Sequence, residues 1–253
     1  MDYKPYEQDA LRRSELRRRA EAWEERPRRR QSRDPDLRVL ALCAVLAVLT
    51  LAVALAALGK IRSHPDPAEV SKNTPDYVRE DFLSVNPWSR PGDPLEQVNG
   101  VVLHYVGNPG TTAQANRNYF DSLADGQLQT YASSHFIVGL EGEVIQCVPL
   151  SEIAYASNTR NEDTISVEVC HPDEAGQYGP ETYDRVVELT AWLCREFRLD
   201  PEEDVIRHYD VTGKLCPLYY VEHPEAWEGL LADIAVEIAA QEAAERNEAD
   251  RRS

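Results

Sequence analysis

Basic residues are scarce in the part of this sequence that can fold. The 253-residue chain carries a formal charge of −17, and from residue 63 onward 13 Lys and Arg stand against 35 Asp and Glu. A body this acidic excludes nucleic acid as an expected partner, because phosphate binding needs a basic face. It also disfavours adhesion to polyanionic surfaces, except at short range through a specific site. Large apolar side chains are missing from residues 1–38, where Leu11, Leu16 and Trp23 are too few for a core. That segment, with 12 basic and 9 acidic residues, reads as a charged cytoplasmic tail, disordered or loosely helical. No internal repeat is present, so the body reads as one domain.

Charge is absent altogether from Val39 to Leu58, 20 residues long enough as a helix to cross about 30 Å of hydrocarbon. Arg28, Arg29, Arg30, Arg33 and Arg38 precede the run, and only Lys60 and Arg62 follow it. The larger positive cluster stays in the cytoplasm, so residues 39–59 are expected to be a transmembrane signal anchor at the cell membrane, with the amino terminus inside and the body outside. A cleaved signal peptide, with Ala54-Leu55-Ala56 as its cleavage site, is the alternative. Residues 60–98, with Pro65, Pro67, Pro75, Pro87, Pro91 and Pro94, read as a Pro-rich linker and lead-in that joins the folded domain near Tyr77 to Trp88.

From residue 99 the pattern turns α/β. Val101 to Tyr105 is a near-continuous apolar run, as in a strand covered on both faces. Thr111 or Thr112 caps a helix through Tyr119, Phe120 and Leu123. His135–Gly139 and Val144–Val148 form a hairpin about Glu141-Gly142. Ile165 to Cys170 alternates as a strand, and Pro180 opens a long amphipathic helix ending near Phe197. Val205 to Tyr209 is a short strand, and Trp227, Leu230, Leu231, Ile234 and Ile238 line one face of a last helix. The expected architecture is a single α/β domain over residues 99–240, a central mixed β-sheet flanked by helices, with a polar helical tail at 241–253 that frays.

Cysteine is sparse at five residues. Cys43 falls in the apolar run and Cys216 has another use, so a disulfide outside the cell could involve only Cys147, Cys170 and Cys194, and Cys194 reads as a plain buried thiol. His104, in the first strand, together with His208 and Cys216 forms a ligand set that zinc accepts. Three protein ligands leave the fourth tetrahedral position to water, as in hydrolytic zinc sites.

Around these residues stand Ser133-Ser134-His135-Phe136, Ile165-Ser166-Val167-Glu168 and His208-Tyr209-Asp210 leading to Lys214-Leu215-Cys216-Pro217. In this order they make the body resemble the zinc-dependent N-acetylmuramoyl-L-alanine amidases, the fold shared by phage lysozyme-type amidases, autolysins and peptidoglycan recognition proteins. The resemblance implies Zn²⁺ on His104, His208 and Cys216, a cysteine standing where many members have aspartate. It implies Glu168 as the proton shuttle and Lys214 as a stabiliser of the oxyanion. It implies peptidoglycan muropeptides as substrate, cleaved between the muramic lactyl group and L-alanine. A receptor that keeps the fold without catalysis is the alternative. Ser134 stands where some members have tyrosine, which shifts weight onto Glu168. His135 reads as structural, His171 and His223 as surface or packing residues, and Tyr105, Asn108 and Thr112 as unranked candidates to line the groove.

Overall fold

In the computed structural model the chain divides into two units, Met1–Ile61 and Arg62–Ser253. The structure describes residues 65–252, and of the first unit only residues 12–15, 17–19, 45, 46 and 50, all helical. The expected membrane span at 39–59 therefore lies almost wholly outside the described residues, among which no helix is long and apolar enough to cross a membrane.

The second unit is built on six strands: β1 (Val78–Glu80), β2 (Val101–Leu103), β3 (Phe136–Val138), β4 (Val144–Gln146), β5 (Ile165–Val169) and β6 (Val205–Arg207). They form one mixed sheet in the order β1-β4-β3-β5-β2-β6. β3 and β4 are the antiparallel pair, and the other neighbours run parallel. The central strands have no solvated face: every residue of β2 and β3 is buried. A strand covered on both sides must be apolar throughout, which is why Val101-Val102-Leu103 and Phe136-Ile137-Val138 read as unbroken runs.

One face carries Val101, Leu103, Phe136, Val138, Ile165 and Val167. Against it packs helix α3 (Pro180–Phe197), through Val186, Leu189, Leu193 and Phe197, and helix α7 (Pro224–Arg252) packs on α3 and joins the same core through Trp227, Leu230 and Ile234. Pro180 at the start of α3 costs no helical hydrogen bond, and Arg198 in the left-handed region closes it. The other face carries Ile137 and Ile145 and is covered by helix α2 (Ala113–Ser122) through Ala113 and Phe120. Thr112, not Thr111, caps α2, its hydroxyl accepting from the Ala115 N–H at 3.2 Å. Between α3 and α7 lie α4 (Pro201–Asp204), α5 (His208–Thr212) and α6 (Leu218–Glu222).

From residue 65, where its described part begins, the Pro-rich stretch carries secondary structure and packs on the body. Helix α1 (Pro67–Val70) is capped by the Asp66 carboxylate on the Ala68 N–H at 2.9 Å. β1 extends the sheet edge, and Leu83, Leu95 and Val98 are buried. Arg90 anchors the stretch with two 2.7 Å bonds to Glu152 and a 2.6 Å bond to the Leu83 carbonyl. Prolines that fix φ in an extended chain serve a packed edge as well as a linker. At the other end α7 runs on to Arg252 through the polar tail. Arg195 holds Gln241 at 3.1 Å and pairs with Glu245, so α3 braces the polar extension. Cys147, Cys170 and Cys194 are free, buried thiols.

Candidate metal centre

His104, His208 and Cys216, far apart in the chain, converge at the carboxyl ends of the parallel strands β2, β5 and β6, where open α/β sheets place their ligands. His104 continues β2, its N–H donating to the Val167 carbonyl at 2.9 Å. Alternation from Val101 and Leu103 turns its ring to the face opposite α3. His208 is the first residue of α5, directly after β6, so strand pairing to β2 sets its distance from His104. Cys216 returns on the loop after α5. That loop reverses at Gly213, whose φ of +77° lies in the left-handed region that glycine reaches without strain. The Tyr209 N–H to Cys216 carbonyl bond, 2.9 Å, closes it.

The three candidate ligand atoms lie within 4.8 Å of one another, and all three residues are buried. Cys216 Sγ is 3.8 Å from His104 Nδ1; a tetrahedral zinc would hold such a pair about 3.6 Å apart. Both imidazoles turn Nε2 away from the cluster, His104 to Ser157 Oγ and His208 to Asn158 Oδ1, each at 3.1 Å. Nδ1 of His208 is buried with no hydrogen-bond partner. A buried lone pair left unpaired costs free energy, and a cation among these donors would remove that cost. The donor set and the orphaned nitrogen fit a zinc ion.

Glu168 reaches the same space. Ile165, Val167 and Val169 of β5 face the core under α3, so Ser166 and Glu168 turn the other way. The Glu168 carboxylate lies 4.0 Å from His104 Nδ1 and keeps 19 % of its surface. Its Oε2 is buried without a partner. Burial pushes the Glu168 carboxyl up to about 8, against the pull of the Lys214 ammonium. Burial also pushes the Cys216 thiol up to about 12, with Glu168 adding to it. His104 and His208 are held below the ordinary imidazole value, by burial first and by Lys214 as well. Without a cation these groups all favour their neutral forms, and a divalent charge in their midst reverses that preference. Lys214 is exposed on the loop before Cys216, and its charge is felt by Glu168 and both histidines.

The remaining sequence candidates have other partners. His135 is buried, accepts from the Ser166 N–H at 3.0 Å and donates from Nε2 to the Glu152 carbonyl at 2.9 Å, a structural post. His171 is buried, with its ring nitrogens 2.6 Å from the Val106 and Asp173 carbonyls. His223 is half exposed beside Glu225. Thr112 is spent on capping α2, whereas Tyr105 lies by Cys216 through its backbone N–H. Asn108 offers its carbonyl to Thr111. Three residues at the site carry no sequence signal: Ser157, Asn158, and Tyr178, whose hydroxyl donates to the His104 carbonyl at 3.1 Å. Tyr178 also lines a neighbouring cavity with Tyr183, Tyr219 and Tyr220, a cavity that contains none of the candidate ligands.

The family model described as N-acetylmuramoyl-L-alanine amidase matches residues 94–218, a span that includes all five of these candidate metal and catalytic residues. The chain is 34 % identical over 164 residues to the N-acetylmuramoyl-L-alanine amidase BlyA of Bacillus subtilis, covering 57 % of this chain and 43 % of that protein. It is 33 % identical over 156 residues to the N-acetylmuramoyl-L-alanine amidase CwlL of Bacillus licheniformis, covering 57 % and 42 %. The chain thus spans less than half the length of these curated relatives. Among solved structures it is similar to a mutant endolysin from Bacillus subtilis (TM-score 0.52, 23 % identity, 62 % of this chain and 97 % of that one). It is also similar to the catalytic domain of PlyG (TM-score 0.54, 20 % identity, 64 % and 94 %). At these identities the structural likeness establishes the fold.

Proposed function

We propose that the chain, whose residues 94–218 match the N-acetylmuramoyl-L-alanine amidase family model, is a zinc hydrolase cleaving the amide between the lactyl group of N-acetylmuramic acid and L-alanine in peptidoglycan. The observation that carries the reading is the convergence of His104, His208 and Cys216, with the unpartnered Nδ1 of His208 among them and Glu168 4.0 Å from His104. His104, His208 and Cys216 would hold the ion. Zinc in such a site supplies Lewis acidity, polarising a carbonyl and bringing the pKa of a water molecule towards neutrality.

The protein's own groups do the rest. Glu168, partly buried beside His104, takes the proton from the attacking water and passes it to the departing L-alanine nitrogen. Lys214, exposed beside the cluster, brings positive charge to the oxygen that becomes negative. The uncharged run from Val39 to Leu58, with its arginine cluster before it, supports a single-pass anchor that keeps the amino terminus in the cytoplasm and the hydrolase against the wall.

Elemental analysis of the full chain, together with mass spectrometry of muropeptides it has digested, tests the reading. One zinc per chain and released stem peptides with an L-alanine amino terminus are expected, and Cys216→Ser should lose both. Zinc without release would favour the peptidoglycan-binding receptor. Full metal and full rate in Cys216→Ser would remove Cys216 from the centre.

A further inference from the structure

The two histidines of the centre are contacted from behind by consecutive residues of a single turn. Ser157 Oγ meets His104 Nε2 and Asn158 Oδ1 meets His208 Nε2, both at 3.1 Å, although His104 follows β2, His208 opens α5 and 104 residues separate them in the sequence. The turn is itself fixed. The Asn161 side-chain oxygen accepts from the Ala156 N–H at 3.1 Å and the Ser157 N–H at 2.6 Å. The Arg160 N–H returns to the Ser157 carbonyl at 3.0 Å and the Asn161 N–H to the Asn158 carbonyl at 3.2 Å. Asn158 sits at φ +52°, a conformation asparagine tolerates better than most side chains.

The Asn158 contact fixes the proton on one histidine, and the Ser157 contact is compatible with the same arrangement on the other. An amide oxygen can only accept, so Nε2 of His208 carries the hydrogen and Nδ1 carries the lone pair that points, unpartnered, at the cluster. The Ser157 hydroxyl can accept in the same way from His104, whose Nδ1 faces Cys216 Sγ and Glu168. An imidazole can ligate only through its unprotonated nitrogen, and the hydrogen bond on the far nitrogen decides which one that is. The geometry points to Ser157 and Asn158 as positioning residues that hold both histidines in the Nε2–H tautomer and so preset two Nδ1 lone pairs for the metal.

This assignment rests on the reading of the cluster as a zinc centre, but the tautomers can be read without any metal. The two contacts differ in strength. Ser157 is buried, and nothing replaces its oxygen if it is removed. Asn158 is solvent-exposed, so water can partly substitute.

The test uses the full chain as Ser157→Ala, Asn158→Gly and Asn158→Asp. Glycine keeps the left-handed turn and removes the acceptor; aspartate keeps both. Zinc affinity, measured by competition with a chromophoric chelator, should fall about 10- to 100-fold in Ser157→Ala and nearer 10-fold in Asn158→Gly, with Asn158→Asp restored. In the metal-free protein, ¹⁵N spectra of the histidine rings should show the Nε2–H form for His104 and His208. Each loss should appear only at the partnered histidine: His104 in Ser157→Ala, His208 in Asn158→Gly. Wild-type affinity together with unchanged tautomers in both variants overturns the proposal. A wild-type chain that binds no zinc, yet shows the tautomer pattern and its selective loss, leaves the role of the turn standing and removes the zinc reading instead. Should Ser157→Ala fail to fold, the Asn158→Gly and Asn158→Asp pair at the exposed position decides.

Discussion

Glu168 shows how a single strand position can set a side chain's chemistry. Its neighbours Val167 and Val169 are committed to the core, so the carboxyl is turned towards His104 into a space dry enough to push it up to about 8. A divalent charge at the cluster favours the carboxylate form, which can take a proton from water and pass it on. Glu168→Gln keeps the shape and removes the proton carrier, so steady-state turnover on muropeptides should fall on the order of 10² or more, with zinc content unchanged. Lys214→Ala should cost less, because its exposed ammonium is screened by water. Near-normal turnover in Glu168→Gln would take Glu168 out of the mechanism. The positions of Glu168 and Cys216 were legible from the sequence because alternation and motif order are local. Ser157 and Asn158 were not, since their use depends on segments 53 and 50 residues away reaching them.

Among the elements, the joint between β3 and β5 is held by a buried imidazole. His135 precedes β3, accepts from Ser166 of β5 and donates to the Glu152 carbonyl, so the ring ties two strands and a loop in its neutral form. Burial lowers its pKa from 6.5 to about 4, with Glu152 partly opposing. The folded state therefore resists the proton that the unfolded chain takes up below pH 6.5, and stability falls as the pH drops from about 6.5 to about 4, levelling below that. At about 1.4 kcal/mol per unit this one ring accounts for roughly 3 kcal/mol of the loss. His104 and His208, also lowered, act in the same direction. Urea unfolding of the metal-free chain at pH 7 and pH 4.5 should show the loss. His135→Gln, which keeps the donor to Glu152, should be less stable at pH 7 but lose less on acidification. An equal loss in both proteins would rule out His135 as a source.

For the molecule as a whole, charge and hydropathy divide the chain into an arginine-rich start, an uncharged run and an acidic body. Their order is the one that the proposed single-pass anchor requires. Protease added to intact, wall-stripped cells should remove the body and spare a tag placed on Met1. A protected body with a lost tag would reverse the topology, and a body found free in the medium would favour cleavage after the run. The boundary between the parts lies earlier than proline content suggests, because Val70, Val78 and Leu83 bury themselves in the second unit.

The sequence by itself determined the class of the body and most strand and helix periods, because these are written in residues close together, and it offered His104, His208 and Cys216 as a ligand set through the order of motifs in the family it resembles. The tertiary structure decided what depends on contacts across the chain. It made β1 a strand by pairing it with β4, a partner 66 residues away. It placed His208 at the first turn of a helix instead of on a strand, and it turned the orphaned Nδ1 of His208 towards the cluster. It also brought the Ser157–Asn161 turn behind both histidines. Backbone pairing and buried hydrogen bonds are satisfied by whichever groups the fold brings within about 3 Å, and neighbouring residues in a sequence carry no record of that distance.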